Sequence, residues 1–498
     1  MTPESSLLLR SPALRQIERD HAHLPLMERA GAAAATLAKA LQQHLDGPPL
    51  IFAGPGNNGG DSLVLARLLK QAGLRPTLVI IADPATLPAD ARQAHAAWVA
   101  VGGVSHSTVP AQRYGLVADG LFGIGLSRAI EGPYAEWIGA INQYPGPVLA
   151  LDCPSGLNAD TGVTYGPTVR ASHTITFIAG KPGLYTLEGP DHCGEIITAD
   201  LGLVDAVTAA EHGRLLERAT GYLHFLSALP RRSLNSHKGS HGSVGIIGGA
   251  AGMAGAALLA GRATLKSGVG RVYVGMLDRL ALDPQQPELM FRPAADVFDL
   301  ATVLAVGPGL GTSPEAEALL RRAIDSDKPL LIDADGLNLL AVHPALHRHV
   351  ARRSAPTLLT PHPLEAARLL DQSLLSVQSD RVSAAQTLAR QFQAHVVLKG
   401  AGSIMASPTN ASATHWSVNA SGNPGLATAG TGDVLSGMAA ALLAQGCDAS
   451  TALTAAMHLH GLAADDCVAA GAGPMGLTAS ELLEPARKIL NRWLQERD

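Results

Sequence analysis

The 498-residue chain is poor in cysteine and aromatics, with four Cys and 4% Phe, Trp and Tyr, and it has no block of five or six like charges. Cys153, Cys193, Cys447 and Cys467 lie far apart and offer neither CxxC metal spacing nor a dense disulfide framework, which fits a reducing cytosol. Lys plus Arg number 37 against 42 Asp plus Glu, a net charge of −5, so neither nucleic acid nor an anionic membrane is an expected partner. The start, MTPESSLLLRSPALRQIERD, has an apolar run too short for a signal-peptide core, and a cytoplasmic location is expected. One apolar stretch without a charge, 244–261 (VGIIGGAAGMAGAALLAG), is long enough to be weighed as a membrane span. Six of its residues are glycine, and a break at Gly248 divides a strand-like VGII from a helix-like MAGAALLAGRATLK, so a membrane span is rejected.

Glycine is what the chain has in excess: 53 residues, about 11% against roughly 7% on average. No three-residue repeat accompanies it, and 47% of the residues are apolar, so the glycine belongs to a folded protein. The length predicts two or three cores. Strand-like runs PLIFAG, TLVIIAD, GLVADG and VLALDC alternate with helical patterns in the first half, and SVGIIGG, RVYVGM, TVLAVGPG, LLIDADG, TLLTPH and HVVLKG do so in the second. The fold class is α/β: a Rossmann-like doubly wound sheet followed by a second α/β domain. The polar stretch 211–238 places the boundary near residue 225, giving domains 1–225 and 226–498.

The first strand leads into Gly54-Pro55-Gly56-Asn57-Asn58-Gly59-Gly60-Asp61, which contains GxGxxG and opens a helix. Such a loop lets backbone N–H groups approach a phosphate at a helix N-terminus. The two amides and a carboxylate of NNGGD add oxygen ligands suited to a hard cation or a ribose-phosphate group. Two later strands end in Asp119-Gly120-Leu121-Phe122-Gly123-Ile124-Gly125 and Asp152-Cys153-Pro154-Ser155-Gly156. The carboxyl ends of strands form the ligand crevice of an open α/β sheet, so Asp119 and Asp152 are expected to converge with Asn58 and Asp61.

NNGGD, DGLFGIGL, LDCPSGLNADTG and the upstream LMERAG together resemble the NAD(P)H-hydrate epimerase family, the YjeF N-terminal domain, over about residues 10–220. The resemblance implies a potassium site at Asn58, Asp119 and Ser155. It also implies a substrate site at Asn57, Asn58, Gly59, Gly60 and Asp61, at Gly123, Ile124, Gly125, Leu126, Ser127, Arg128 and Ala129, and at Asp152. Epimerising a carbinolamine carbon needs proton transfer, and Asp152 is the expected acid/base. Ser62 stands where the family commonly has glycine, and Cys153 reads as a small filler beside Asp152.

In the second half, GNPGLATAGTGDVL (422–435) opens a long helix at AGTGD. Successive N–H groups at Gly430, Thr431 and Gly432 and the helix dipole make an anion hole, and Asp433 in the first turn can take a proton from a substrate hydroxyl. The string resembles the ribokinase-like superfamily, and GxxxxGK[ST] is absent from the sequence. With HKGSHG, GGAAGMAGA, GPGLG, DADGLNLL, TPHPLE and KGAGSI, residues 228–495 resemble the nucleotide-dependent NAD(P)H-hydrate dehydratase, the YjeF C-terminal domain. That implies hydrated-nicotinamide contacts at Ala257, Gly309 and His362. It further implies adenine-nucleotide contacts at Lys399, Gly400, Ala401, Gly402, Ser403, Gly430, Thr431 and Gly432, and Asp433 as catalytic group. Mg²⁺ would bridge the phosphates of ADP or ATP. His458 and His460, at i and i+2, do not share a helix face and are not expected to bind metal, and His343, His347 and His349 are expected to be solvated.

The resemblance implies a bifunctional repair enzyme acting on hydrated NADH and NADPH. One domain interconverts the R and S hydrates, and the other dehydrates the S hydrate with ADP, releasing AMP and phosphate. A homo-oligomer is expected. Two alternatives are a small-molecule kinase of the ribokinase group fused to a Rossmann-like binding module, and a first domain that serves only interaction. TPHPLE and HKGSHG favour the dehydratase. Twenty of the 53 glycines fall in six short segments, each at one of these motifs.

Overall fold

The computed structural model describes residues 6–126, 128–278, 280–408 and 416–497. The chain divides into two compact units, Met1–Arg214 and Leu215–Asp498. The division falls before the boundary expected near 225, because Leu216 and Phe225 are buried in the core of the second unit. The polar composition of this stretch hid those two anchors.

The first unit carries seven parallel strands: β1 (Leu50–Ala53), β2 (Thr77–Val79), β3 (Ser105–His106), β4 (Val117–Gly120), β5 (Val148–Leu151), β6 (His173–Phe177) and β7 (Glu195–Ala199). Their spatial order, β3-β2-β1-β4-β5-β6-β7, reverses between β1 and β4. That is the topological switch point at which such sheets open a ligand crevice. Helices α1 (Ser11–Asp20), α2 (Leu26–Gln42), α3 (Asn57–Gln71) and α4 (Ala89–Ala100) include the one that begins at NNGGD. A Cβ on Gly60 would lie 2.5 Å from Met27 Cε and 3.1 Å from Ala91 Cα, so α3 can nest between α2 and α4 only without a side chain there.

Among the described residues the strands of the second unit include β8 (Ser243–Gly248), β9 (Arg271–Met276), β10 (Met290–Arg292), β11 (Val303–Val306), β12 (Leu330–Ile332), β13 (Thr357–Leu359), β14 (His395–Leu398), β15 (Ile404–Ala406) and β16 (Trp416–Asn419). They run in the order β16-β15-β14-β13-β12-β11-β8-β9-β10. Pairs β14/β15 and β15/β16 are antiparallel and the rest parallel. The functional helices are α5 (Ala254–Lys266), α6 (Pro363–Leu370), α7 (Arg381–Phe392), α8 (Thr431–Ala444) and α9 (Ala449–Ala469). The run 244–261 splits into β8 and α5 with a turn between them, and among the described residues no helix is long and apolar enough to cross a membrane. His347, expected in solvent, instead bonds the Leu340 carbonyl at 2.7 Å and packs its ring 4.9 Å from Phe392.

Candidate functional site

In the first unit the β1–α3 loop is shaped by close backbone approach. Gly54 N–H donates to the Gly120 carbonyl at 3.0 Å, and a Cβ on Gly59 would fall 2.0 Å from Gly54 O, so the turn is closed to any larger residue. Asn57 is left exposed at the tip, while Asn58, Gly59 and Gly60 are buried and Asp61 half-buried. Loop 121–130 crosses the same edge: Gly123, Ile124 and Leu126 are half-buried, Gly125, Arg128 and Ala129 exposed, and Ser127 lies outside the described residues.

Asp119 and Ser155 meet beneath this loop, and the Asn58 side chain lies against it at Gly123. Asp119 is fully buried, and its carboxylate accepts from Ser155 Oγ at 2.7 Å, Ser155 N at 2.8 Å and Leu121 N at 3.2 Å. Burial raises its pKa to about 6 against those hydrogen bonds, and no cationic side chain pairs with it among the described residues. Asn58 Nδ2 donates to Leu151 O at 3.1 Å, and its buried Oδ1 has no partner. A buried carboxylate without a counter-charge, an orphaned amide oxygen and a hydroxyl form an oxygen-only donor set that fits a hard cation such as K⁺.

Asp152 follows β5 in the left-handed region, with φ 66°, which aims its side chain into the crevice. Its Oδ1 pairs with Lys181 Nζ at 2.7 Å, and its Oδ2 lies 3.4 Å from Ile124 N. Lys181 is completely buried and also donates to Thr176 Oγ1 at 2.5 Å and Phe177 O at 3.2 Å. Burial, the Asp152 charge and Glu18 push the Asp61 carboxyl well above the usual carboxylate range. Burial and Asp152 likewise raise Glu18, on α1. Carboxyls raised by burial beside an ion-paired carboxylate suit acid/base chemistry. Lys181 and Glu18 carried no motif signal; a lone lysine after the apolar HTITFIAG was the one available hint. Cys153 is buried, its thiol pushed far up by burial, in keeping with a filler role.

In the second unit GGAAGMAGA, GPGLG, DADG, TPHPLE and KGAGSI lie at the carboxyl ends of β8, β11, β12, β13 and β14, whereas HKGSHG precedes β8 at its amino end. Ala250 N–H donates to Gly309 O at 2.7 Å, and Gly311 N–H to Asp335 Oδ2 at 2.8 Å, so GGAAGMAGA, GPGLG and DADG form one ledge. Ala257 is buried in the first turn of α5, and Gly309 takes φ 59°. Gly430, at φ 89°, caps α8 in the left-handed conformation, and Asp433 sits in the first turn. Burial and the Asp333 charge raise the Asp433 pKa to about 7, opposed by Lys399.

Lys399 Nζ pairs with Asp333 Oδ1 at 3.0 Å, and Asp333 Oδ2 accepts from Ser436 Oγ at 2.7 Å, which fixes α8 to the ends of β12 and β14. Burial alone would lower Lys399, but Asp333 and Glu365 outweigh it and its pKa is raised. Burial lifts Glu365 to about 7. Asp333 and Glu365 were not singled out from the sequence, although each lies inside a motif. His362 is the N-cap of α6: its Nδ1 accepts from Leu364 N at 3.1 Å and Glu365 N at 3.3 Å, and Glu365 Oε2 returns a bond to His362 N at 2.7 Å. The ring stays partly exposed, with Nε2 3.4 Å from Glu365 Oε1. Lys399 and Gly402 are half-buried and Gly400 and Ala401 exposed, and Ser403 Oγ closes the turn onto Gly400 O at 3.0 Å. His458 and His460 are buried on α9, and no group of three or more His, Cys, Asp and Glu side chains that could hold a metal ion occurs among the described residues.

Residues 23–183 match the family described as YjeF-related protein N-terminus, and residues 244–487 match the NAD(P)H-hydrate dehydratase family. The bifunctional NAD(P)H-hydrate repair enzyme Nnr of Coxiella burnetii is 38% identical over 98% of this chain and 100% of its own length. The enzyme of the same name from Escherichia coli is 38% identical over 94% of this chain and 89% of its own. A solved structure of ADP/ATP-dependent NAD(P)H-hydrate dehydratase from Bacillus subtilis, co-crystallised with ATP and Mg²⁺, covers 56% of this chain and 98% of that one at 28% identity and a TM-score of 0.48. The relatedness runs through both units in the same order, and the chain belongs to the family of bifunctional NAD(P)H-hydrate repair enzymes.

Proposed function

We propose that the first unit epimerises hydrated NADH and NADPH and that the second dehydrates the S hydrate at the expense of ADP or ATP. The observation that carries the reading is the full-length relationship to bifunctional repair enzymes, supported by the ion pairs Lys181–Asp152 and Lys399–Asp333, one at each crevice. In the first crevice, Asn57 to Asp61, Gly123 to Ala129 and Asp152 hold the substrate. Asp152, paired with Lys181, takes the proton of the C6 hydroxyl, and Asp61, its carboxyl raised by burial, supplies one as the carbinolamine opens and recloses on its other face. Asn58, Asp119 and Ser155 would hold K⁺, which would supply fixed positive charge.

In the second crevice Ala257, Gly309 and His362 border the hydrated nicotinamide, and Lys399 to Ser403 and Gly430 to Gly432 border the adenine nucleotide. Asp433 accepts the proton of the C6 hydroxyl as its oxygen attacks the terminal phosphorus. With ADP the P–O bond to AMP breaks. The C6–O bond of the phosphate ester then breaks with loss of a C5 proton, giving phosphate and the dihydronicotinamide. Mg²⁺ would neutralise the phosphates. Four free, buried cysteines support action in a reducing compartment.

Mixed R and S hydrates with Mg²⁺ and ADP provide the test, read as recovery of dihydronicotinamide absorbance. Both epimers should be recovered fully. Asp433→Asn should abolish recovery, whereas Asp152→Asn and Lys181→Met should leave the S hydrate repaired and the R hydrate limited by its spontaneous epimerisation. No recovery with either nucleotide sinks the dehydratase reading, and a phosphorylated product without dihydronicotinamide would favour the kinase alternative.

A further inference from the structure

Arg381 opens α7 and is only 2% exposed. No carboxylate pairs with it among the described residues, and burial lowers its pKa to about 10, which leaves it charged at neutral pH. A buried guanidinium is costly unless its N–H groups are bonded. Its partners are backbone carbonyls of a single loop: Lys399 O at 3.1 Å, Leu398 O at 3.4 Å, and Ala401 O. A Cβ on Gly400 would lie 2.7 Å from Arg381 Nη2, so the guanidinium presses against the loop where glycine leaves room, at φ 140°.

A trans peptide points its C=O and the following N–H in opposite directions. Drawing the Lys399 and Ala401 carbonyls toward Arg381 therefore turns the N–H groups of Gly400 and Gly402 to the far side of the loop. The Gly400 N–H reaches Ser403 Oγ at a long 3.3 Å, and no partner for the Gly402 N–H appears among the described residues. Gly400 is exposed and Gly402 half-buried, which leaves these donors open to a ligand beside Lys399. Adjacent N–H groups aimed at one side form an anion-binding concavity.

We infer that Arg381 is a positioning residue for the nucleotide: from beneath, it holds loop 398–402 so that the N–H groups of Gly400 and Gly402 receive phosphate oxygens. The inference rests on the proposed reading of 399–403 as the nucleotide loop. It is tested in the full chain with Arg381→Lys and Arg381→Met, by calorimetric binding of Mg·ADP and Mg·ATP and by steady-state kinetics with nucleotide and S hydrate varied in turn.

In Arg381→Met the nucleotide Kd and KM should rise about tenfold, with kcat within about threefold, the scale of losing one charge-assisted hydrogen bond. The hydrate KM should not change, and Arg381→Lys should fall between Arg381→Met and wild type. Unchanged nucleotide Kd overturns the inference, as does a parallel rise of both KM values with a fall in kcat, which marks a purely structural role. Should Arg381→Met not fold, Arg381→Lys decides alone: a folded protein with wild-type nucleotide Kd overturns the claim. A wild-type protein that binds ADP without forming dihydronicotinamide refutes the functional reading, and Arg381 is then judged on Kd; a wild type that binds no nucleotide refutes both.

Discussion

Asp433 shows how a single side chain sets a pH dependence. Its carboxyl is raised from 3.8 to about 7, first by burial and then by Asp333, with Lys399 opposing. Only the ionised form takes a proton, so kcat/KM for dehydration of the S hydrate should climb through about pH 7 and level off above it. A profile flat from pH 5.5 to 8.5 would contradict that role. Stability moves the other way, because the folded state holds this proton where the unfolded state has lost it, so the site's contribution falls as pH rises from about 4 to 7. Asp433→Asn should thus melt higher than wild type at pH 8, with the difference vanishing near pH 4. Asp433 was legible because glycines crowd its N-terminal side. Lys181, Asp333 and Glu365 were not, since each matters through a partner distant in sequence or through the depth at which it is buried. His362 was legible as a contact candidate, but its capping of α6 through Glu365 emerges only in the structure.

Among the elements, strands with continuous apolar runs, such as β8 and β11, are buried on both faces and could be read directly. β6 was passed over because HTITF interleaves threonine, yet Thr174 and Thr176 are fully buried and satisfied by Cys193 O and Lys181 Nζ. Edge strands of two or three residues, β3 and β10, carry too little pattern to be found. The pairing of α5 with α8 places Asp433, and it depends on small residues. A Cβ on Gly437 would lie 2.2 Å from Ala260 O and 2.9 Å from Ala263 Cβ, against backbone that cannot rotate away. Gly437→Ala should therefore displace α8, costing about 1–3 kcal/mol of stability, and reduce dehydration more than a simple loss of fold would. Urea unfolding and the two hydrate assays check it: epimerisation should persist while dehydration falls, and an unchanged dehydration rate would disprove the tight crossing.

For the whole molecule, the sequence already implied two α/β bodies, and each proves to be a compact unit with its own core. The division between them falls before the boundary expected near residue 225, since Leu216 and Phe225 lie in the core of the second. The groups proposed to react in the two crevices lie in separate units, Asp61, Asp152 and Lys181 in the first and Asp333, Lys399 and Asp433 in the second. Inactivating them separately should then produce chains that complement one another. Asp152→Asn retains dehydration and Asp433→Asn retains epimerisation, so an equimolar mixture should recover the R hydrate at a rate close to that of half the wild-type concentration. Asp433→Asn alone should recover neither epimer, and Asp152→Asn alone the S form at once and the R form slowly. A mixture no faster on the R hydrate than Asp152→Asn alone would mean that the epimerised hydrate must reach the dehydrating site of the same chain, and release of the intermediate to solvent would have to be abandoned.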